Sequence, residues 1–304
     1  MFYLFAILSI WLVVFLYRSR VPILELYQRL WINLDVYRIT KDYCAAHFRN
    51  HSKSSLQAES FSKELLDYIQ FHLRQDRRTL VEKRDSHEAR ATVYLSWNLD
   101  EKDSIPEGEV FIPYGENGVI LCRKVVLTTA HFVSSVDNIR QFEVIPNKLE
   151  PLITYPVEKF YIHPKYQATK LAKYDVAVLI LKDELPADTA TFALYPNAFS
   201  RQRHKQLPCL SYSYNTDSAM LGKQMDVIQG HQLLFSVGYS MKGYSGSPIS
   251  LKDHLFDSPP LIGLLRGGFN HEVKMTIYTP ITKEKIAFIR KSIGKELFSD
   301  IKVY

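Results

Sequence analysis

From about residue 90 onward the chain is a succession of short runs rich in Val, Ile, Tyr and Thr, each cut off by turn residues. The runs read ATVYLSW, EVFIPY, GVILC, KVVLTTA, FEVIP, EKFYIHP, DVAVLIL, LLFSVGY, PLIGLLRGG and MTIYTPI. β-Branched and aromatic residues suit a pleated, half-buried surface, and runs of this length and spacing predict a mainly β sandwich or barrel. The pattern changes only at the end. In KEKIAFIRKSIGKELF, the apolar residues Ile286, Phe288, Ile289 and Ile293 recur at helix spacing and predict a terminal helix. There is no internal repeat and no low-complexity tract. Apolar residues are 46% of the whole and charged residues 23%, which suits a globular chain with a real core.

The first 89 residues have a different texture. Residues 2–17 read FYLFAILSIWLVVFLY without a charge, and Arg18 and Arg20 follow at once. The run is slightly short for a full span, but flanking side chains such as Arg18 can snorkel to the interface. A cleaved signal peptide is the rival reading, weakened because no positive residue precedes the run and no small-x-small site follows it. Residues 1–20 are therefore expected to be a single-pass transmembrane anchor. The arginines on its C-terminal flank place the bulk of the chain on the cytoplasmic side; cleavage would leave a secreted protein instead. Residues 21–89 are expected to be helical. Leu26, Leu30 and Leu34, with Tyr27 and Trp31, repeat at helix spacing, as do Phe61, Leu65, Tyr68, Ile69 and Leu73 behind a capping box of Ser54 and Gln57. The plain reading is an amphipathic stalk packed on the following domain, and the sharper one a regulatory or substrate-presenting element.

Cysteine and charge usage narrow the classes. Cys44, Cys122 and Cys209 are too few and too irregular for a disulfide framework, although one bridge stays open. The ten histidines do not cluster at ligand spacing, so neither a metal nor another cofactor is expected. The formal net charge of +6 is spread along the chain and reads as a solvated basic surface, not as a nucleic-acid footprint.

Three local sequences carry chemistry. In GVILCRKVVLTTAHFV (118–133) a strand ends in small and hydroxylated residues and delivers His131. In KYDVAVLIL (173–181) Asp175 opens an apolar β-run, and in MKGYSGSPIS (241–250) Ser245 stands between glycines ahead of Pro248. A serine hydroxyl is a weak nucleophile at neutral pH and needs an imidazole within hydrogen-bond reach. The imidazole in turn needs a buried carboxylate to fix its tautomer and stabilise its charge. A glycine two residues before the serine lets two main-chain N–H groups converge on an oxyanion, and Gly243 with Ser245 has that spacing. Singly, each residue has an ordinary structural reading; in the order His, Asp, Ser, each in strand context, chance becomes a poor explanation.

These segments resemble the trypsin/chymotrypsin superfamily of serine peptidases. VVLTTAHF is similar to the family's LTAAH, KYDVAVLIL to DIALLKL, and GYSGSP to GDSGGP. The likeness is greatest to the disulfide-poor, bacterial-type branch of glutamyl endopeptidases and HtrA-type proteases, which carry GNSGSP or GNSGGP at the serine. It covers roughly residues 90–304. It implies a chymotrypsin-like double β-barrel with a C-terminal helix, and a serine endopeptidase with His131, Asp175 and Ser245 as triad and the Gly243 and Ser245 N–H groups as oxyanion hole. Protein or peptide substrates would pair with IGLLRGG (262–268), and activity would fall below about pH 6 as His131 protonates.

The departures from the family also speak. Tyr244 replaces the Asp that pairs with a freed N-terminus in zymogen-activated members, and no IVGG-like site is present. By position, Tyr239 and Ser240 begin the primary pocket, Gly267 and Gly268 form its wall, and Leu265 stands where glutamyl endopeptidases have a pocket His. An apolar side chain is the expected preference. Arg266 falls where the family has a small or aromatic residue beside the triad carboxylate; it would lower the basicity of His131, obstruct the cleft, point outward or bind an acidic substrate group. A catalytically inactive fold that binds peptides by strand addition is the alternative, and a membrane scaffold working through its helical region is a third reading.

Overall fold

The computed structural model describes residues 27–28, 30–32, 34–35, 79–80, 86–97, 115–135, 142–146, 153–196, 206–214, 220–237, 240, 243–252, 255–270 and 274–304. The expected anchor at 1–20 and nearly all of the expected helical region at 21–89 lie outside these. Among the described residues no helix is long and apolar enough to cross a membrane.

The β-rich part folds as two barrels. The first closes from β2 (Thr92–Trp97), β3 (Gly115–Cys122), β4 (Val125–Thr128), β5 (Phe142–Ile145), β6 (Tyr155–Ile162) and β7 (Ala177–Leu181), in the order β2-β3-β4-β7-β6-β5. The second comes from β9 (Gln206–Tyr214), β10 (Met220–Gln229), β11 (Leu234–Val237), β12 (Pro248–Leu251), β13 (Pro260–Asn270) and β14 (Lys274–Pro280). Its order is β10-β11-β14-β13-β12-β9, and β9 pairs back onto β10 to close the circuit. The short strands β1 (Thr79–Leu80) and β8 (Ala193–Leu194) attach to β10 and β13. The double β-barrel expected from the sequence is the architecture found.

Strand periodicity explains why DVAVLIL is apolar throughout. Ala177, Leu179 and Leu181 of β7 point into the first barrel with Val126, Ile120, Phe142 and Val144. The alternate residues Val178 and Ile180 point outward, into a second layer with Val125, Leu127 and Val119. That outer layer is roofed by the terminal helix Lys283–Ser299, through Ile289 and Ile293. A strand covered on both faces has no polar side to show. Thr282 caps this helix, its side chain accepting from Lys285 N, and Gly294 interrupts it with φ 80°. The second barrel is filled by Met225, Val227, Leu234, Ile249, Ile262, Leu265 and Tyr278. Between the barrels, Tyr94 meets Tyr214 edge to face with ring centroids 6.3 Å apart.

Residues 27, 28, 30, 31, 32, 34 and 35 are helical. They dock on the second barrel and on the turn before β7. The Trp31 ring stacks on His231 at 4.4 Å, His231 N donates to Asp35 Oδ2 at 2.7 Å, and Ala172 N donates to Gln28 Oε1 at 2.7 Å. Tyr27, Leu30 and Leu34, part of the expected apolar face, are exposed at 51%, 56% and 38%.

Candidate active site

Three short connections bring the sequence-predicted residues together. β4 ends at Thr128, Thr129 stays extended, and the single turn Ala130–Val133 follows. Ala130, Phe132 and Val133 are buried in the first barrel, which leaves His131 as the residue of that turn facing the cleft. A 3₁₀ turn, Ala172–Tyr174, ends at Asp175 and feeds β7; Asp175 is fully buried. Ser245 lies between β11 and β12 in a turn that needs two left-handed residues, Gly243 at φ 90° and Gly246 at φ 79°. At Gly246 the constraint is also steric, because a Cβ there would run into the carbonyl oxygen of Asn117.

The resulting geometry is compact. Asp175 Oδ2 lies 2.7 Å from His131 Nδ1, and Asp175 Oδ1 accepts from His131 N at 2.8 Å. The carboxylate thus holds the ring and the backbone of the same residue. On the far side, His131 Nε2 is 3.2 Å from Ser245 Oγ. The serine hydroxyl has a second outlet, since it donates to the carbonyl of Arg266 at 3.2 Å.

The loop carrying Ser245 is bolted to the first barrel by Asn117 of β3. Asn117 N donates to Ser245 O at 2.8 Å, Nδ2 donates to Gly243 O at 2.8 Å, and Oδ1 accepts from Tyr214 N at 2.6 Å. Thr128 Oγ1 donates to Asn117 O at 2.7 Å. Asn117 itself is fully buried, so each of these bonds replaces lost water.

Glu116, one residue earlier, did not stand out in the sequence. Its Oε1 sits 3.3 Å from His131 Nε2, and its Oε2 accepts from Thr129 Oγ1 at 3.0 Å. Burial alone would favour the neutral imidazole. Hydrogen bonds and charge from Asp175 and Glu116 outweigh it and raise His131 from its usual 6.5 to about 10. Two carboxylates at the ring thus favour the protonated imidazole at a higher pH than the value of about 6 expected from the sequence.

Arg266 turns inward. A register shift between Leu265 and Gly267 in the β13–β14 pairing marks a bulge at this residue, and its Nε lies 3.2 Å from Asp175 Oδ2. Among the other pocket candidates, Tyr239 lies outside the described residues. Ser240 is buried beneath Gly268, with its Oγ the atom nearest to a Cβ built there. Among the described residues, Ser240 Oγ makes no hydrogen bond. Gly267 faces open space. Leu265 is fully buried among Met225, Ile249 and Tyr278, so its side chain belongs to the barrel core and not to the cleft. Cys122 and Cys209 are free, buried thiols.

Comparison with known protein families gives one match over this region: the Trypsin model aligns with residues 109–287, more than half of the chain. No curated protein matches the chain.

Proposed function

The chain belongs to the trypsin family, and from that membership we propose that it is a serine endopeptidase with Ser245 as nucleophile, His131 as general base and then acid, and Asp175 as the orienting carboxylate. The observation that carries the proposal is the continuous contact from Asp175 Oδ2 through the His131 ring to Ser245 Oγ, at 2.7 and 3.2 Å. The neutral imidazole takes the Oγ proton at Nε2 while Oγ bonds to the scissile carbonyl carbon. The carbonyl oxygen becomes an oxyanion, which the N–H groups of Gly243 and Ser245 stabilise. Nε2 then gives its proton to the leaving amine as the C–N bond breaks, and an acyl-enzyme remains. Water repeats the sequence and frees the acid.

The substrate is a protein or peptide chain laid along the Arg266–Gly268 edge of β13. Gly267 and Gly268 carry no side chain there to block it, and Ser240 lies beneath as part of the primary pocket. The free thiols Cys122 and Cys209 support a place near the disulfide-poor bacterial-type branch. The uncharged run at 2–17 supports a membrane tether, with the peptidase domain on the cytoplasmic side and substrates at the same membrane.

A fluorophosphonate probe tests the enzyme reading. Labelling of the full-length wild type and none of Ser245→Ala is expected. A folded wild type that stays unlabelled from pH 7 to about 10, the value to which His131 is raised, would reject it and leave a peptide-binding module.

A further inference from the structure

Nε2 of His131 has two claimants. Ser245 Oγ lies 3.2 Å away and Glu116 Oε1 3.3 Å away. A ring nitrogen either carries a proton or accepts one, so Nε2 cannot accept from Ser245 while it donates toward Glu116. Glu116 comes from the N-terminal end of β3, is 15% exposed, and is held in place by Thr129 Oγ1 from the same connection that presents His131. We propose that Glu116 is a positioning residue of this site: its carboxylate competes with the Ser245 hydroxyl for Nε2 and holds the imidazole as a cation until that contact is broken.

The inference rests on His131 being the general base. Two arrangements of the same atoms follow. In the resting one, Nδ1–H donates to Asp175 and Nε2–H to Glu116, while Ser245 donates to the Arg266 carbonyl at 3.2 Å. An imidazole carrying both protons accepts nothing, and the serine is idle. In the working one, Nε2 has lost its proton and accepts from Ser245. The leaving amine must also come within hydrogen-bond reach of Nε2, so a bound peptide competes directly with Glu116 for that position.

The other charged and titratable groups facing the ring do not undo this. Asp175 adds to the stabilisation of the cation, and Arg266 is engaged with Asp175 Oδ2 at 3.2 Å. Tyr166, on the turn Pro164–Thr169, is pushed up to about 12 by burial and then by the charge of Asp175, and stays neutral.

The test is the pH dependence of fluorophosphonate labelling in full-length wild type and Glu116→Gln, which keeps the side-chain shape and the Thr129 acceptor. The wild-type rate should climb through the alkaline range. In Glu116→Gln the midpoint should fall by at least about one pH unit, with about tenfold faster labelling at pH 7. Superimposable profiles, or a uniformly lower rate with an unmoved midpoint, would overturn the proposal. Glu116→Ala serves as second variant, with a folded NMR spectrum as the criterion for inclusion. The His131 ring titration, followed by NMR in Ser245→Ala with and without Glu116→Gln, reads the same competition without turnover. If the wild type never labels, the peptidase reading fails by itself, and equal titration midpoints in that pair would still reject the role of Glu116.

Discussion

The carboxamide of Asn117, on β3 of the first barrel, reaches across the cleft to the backbone of Gly243 in the second, with Nδ2 2.8 Å from the carbonyl oxygen. Its Oδ1 takes Tyr214 N at 2.6 Å, and its own N–H holds Ser245 O. One fully buried side chain therefore couples how the barrels pack to where the serine loop sits. Asn117→Ala deletes three side-chain hydrogen bonds and should cost about 2–4 kcal/mol in urea unfolding. It should also slow fluorophosphonate labelling of Ser245 by about tenfold or more, because a shift of the loop by a fraction of an ångström moves the Ser245 hydroxyl away from His131 Nε2. Lost stability with an unchanged labelling rate would show that the pin serves the barrels alone.

Two cations, buried Lys285 and half-buried His131, should tilt the pH dependence of stability in opposite directions. Lys285 is 3% exposed in the first turn of the terminal helix, where the helix dipole also disfavours a positive charge. Burial pushes its ammonium down to about 7, and Glu284 offsets this only in part. Between about pH 7 and 10.4 the unfolded chain binds more protons at this residue than the folded one, so its contribution to stability rises with pH. His131 does the reverse. Its folded value of about 10 exceeds the unfolded 6.5, so the stability it supplies is full below 6.5 and is lost as pH rises through 10. In the wild type these two slopes oppose each other between about pH 7 and 10. Lys285→Met should be more stable at pH 7 by about 2–4 kcal/mol, and should lose stability toward pH 10. Urea midpoints measured at both pH values decide it; a Lys285→Met curve parallel to wild type would sink the argument.

The residues that the sequence revealed are those whose setting is local. His131, Asp175 and Ser245 each sit within a few residues of a strand end, and the turn chemistry that presents them is written beside them. β7 was legible because burial on both faces makes every position apolar. β9 and β10 signal more weakly, because buried Ser211, Ser213 and Lys223 break the apolar alternation. Glu116 gave no signal, because its partner is 15 residues away and the contact depends on how β3 and the His131 turn lie in the closed barrel. Arg266 was conspicuous as an unusual residue. Its direction came from a β-bulge, which the sequence of PLIGLLRGG leaves undetermined. Leu265 matched a family pocket position by count, yet its parity on β13 sends it into the core.

Gln28 ties the N-terminal helical residues to the site. Ala172 opens the turn that delivers Asp175, and it is gripped from both sides. Its N–H donates to Gln28 Oε1 at 2.7 Å, while its carbonyl accepts from Thr279 Oγ1 at 2.8 Å and from Asp175 N at 3.1 Å. Ala172 is fully buried, so without Gln28 its N–H faces protein instead of water. Gln28→Met should therefore cost about 1–3 kcal/mol and slow labelling of Ser245 several-fold as the Asp175 turn loosens. Gln28→Glu keeps the acceptor oxygen and should stay near wild type in both measurements, which separates the hydrogen bond from mere side-chain packing. If Gln28→Met matches wild type in unfolding and in labelling, the helical residues around it are a connector and the turn stands on Thr279 alone. If both fall and Gln28→Glu restores them, the segment ahead of the barrels is part of what holds the carboxylate against His131.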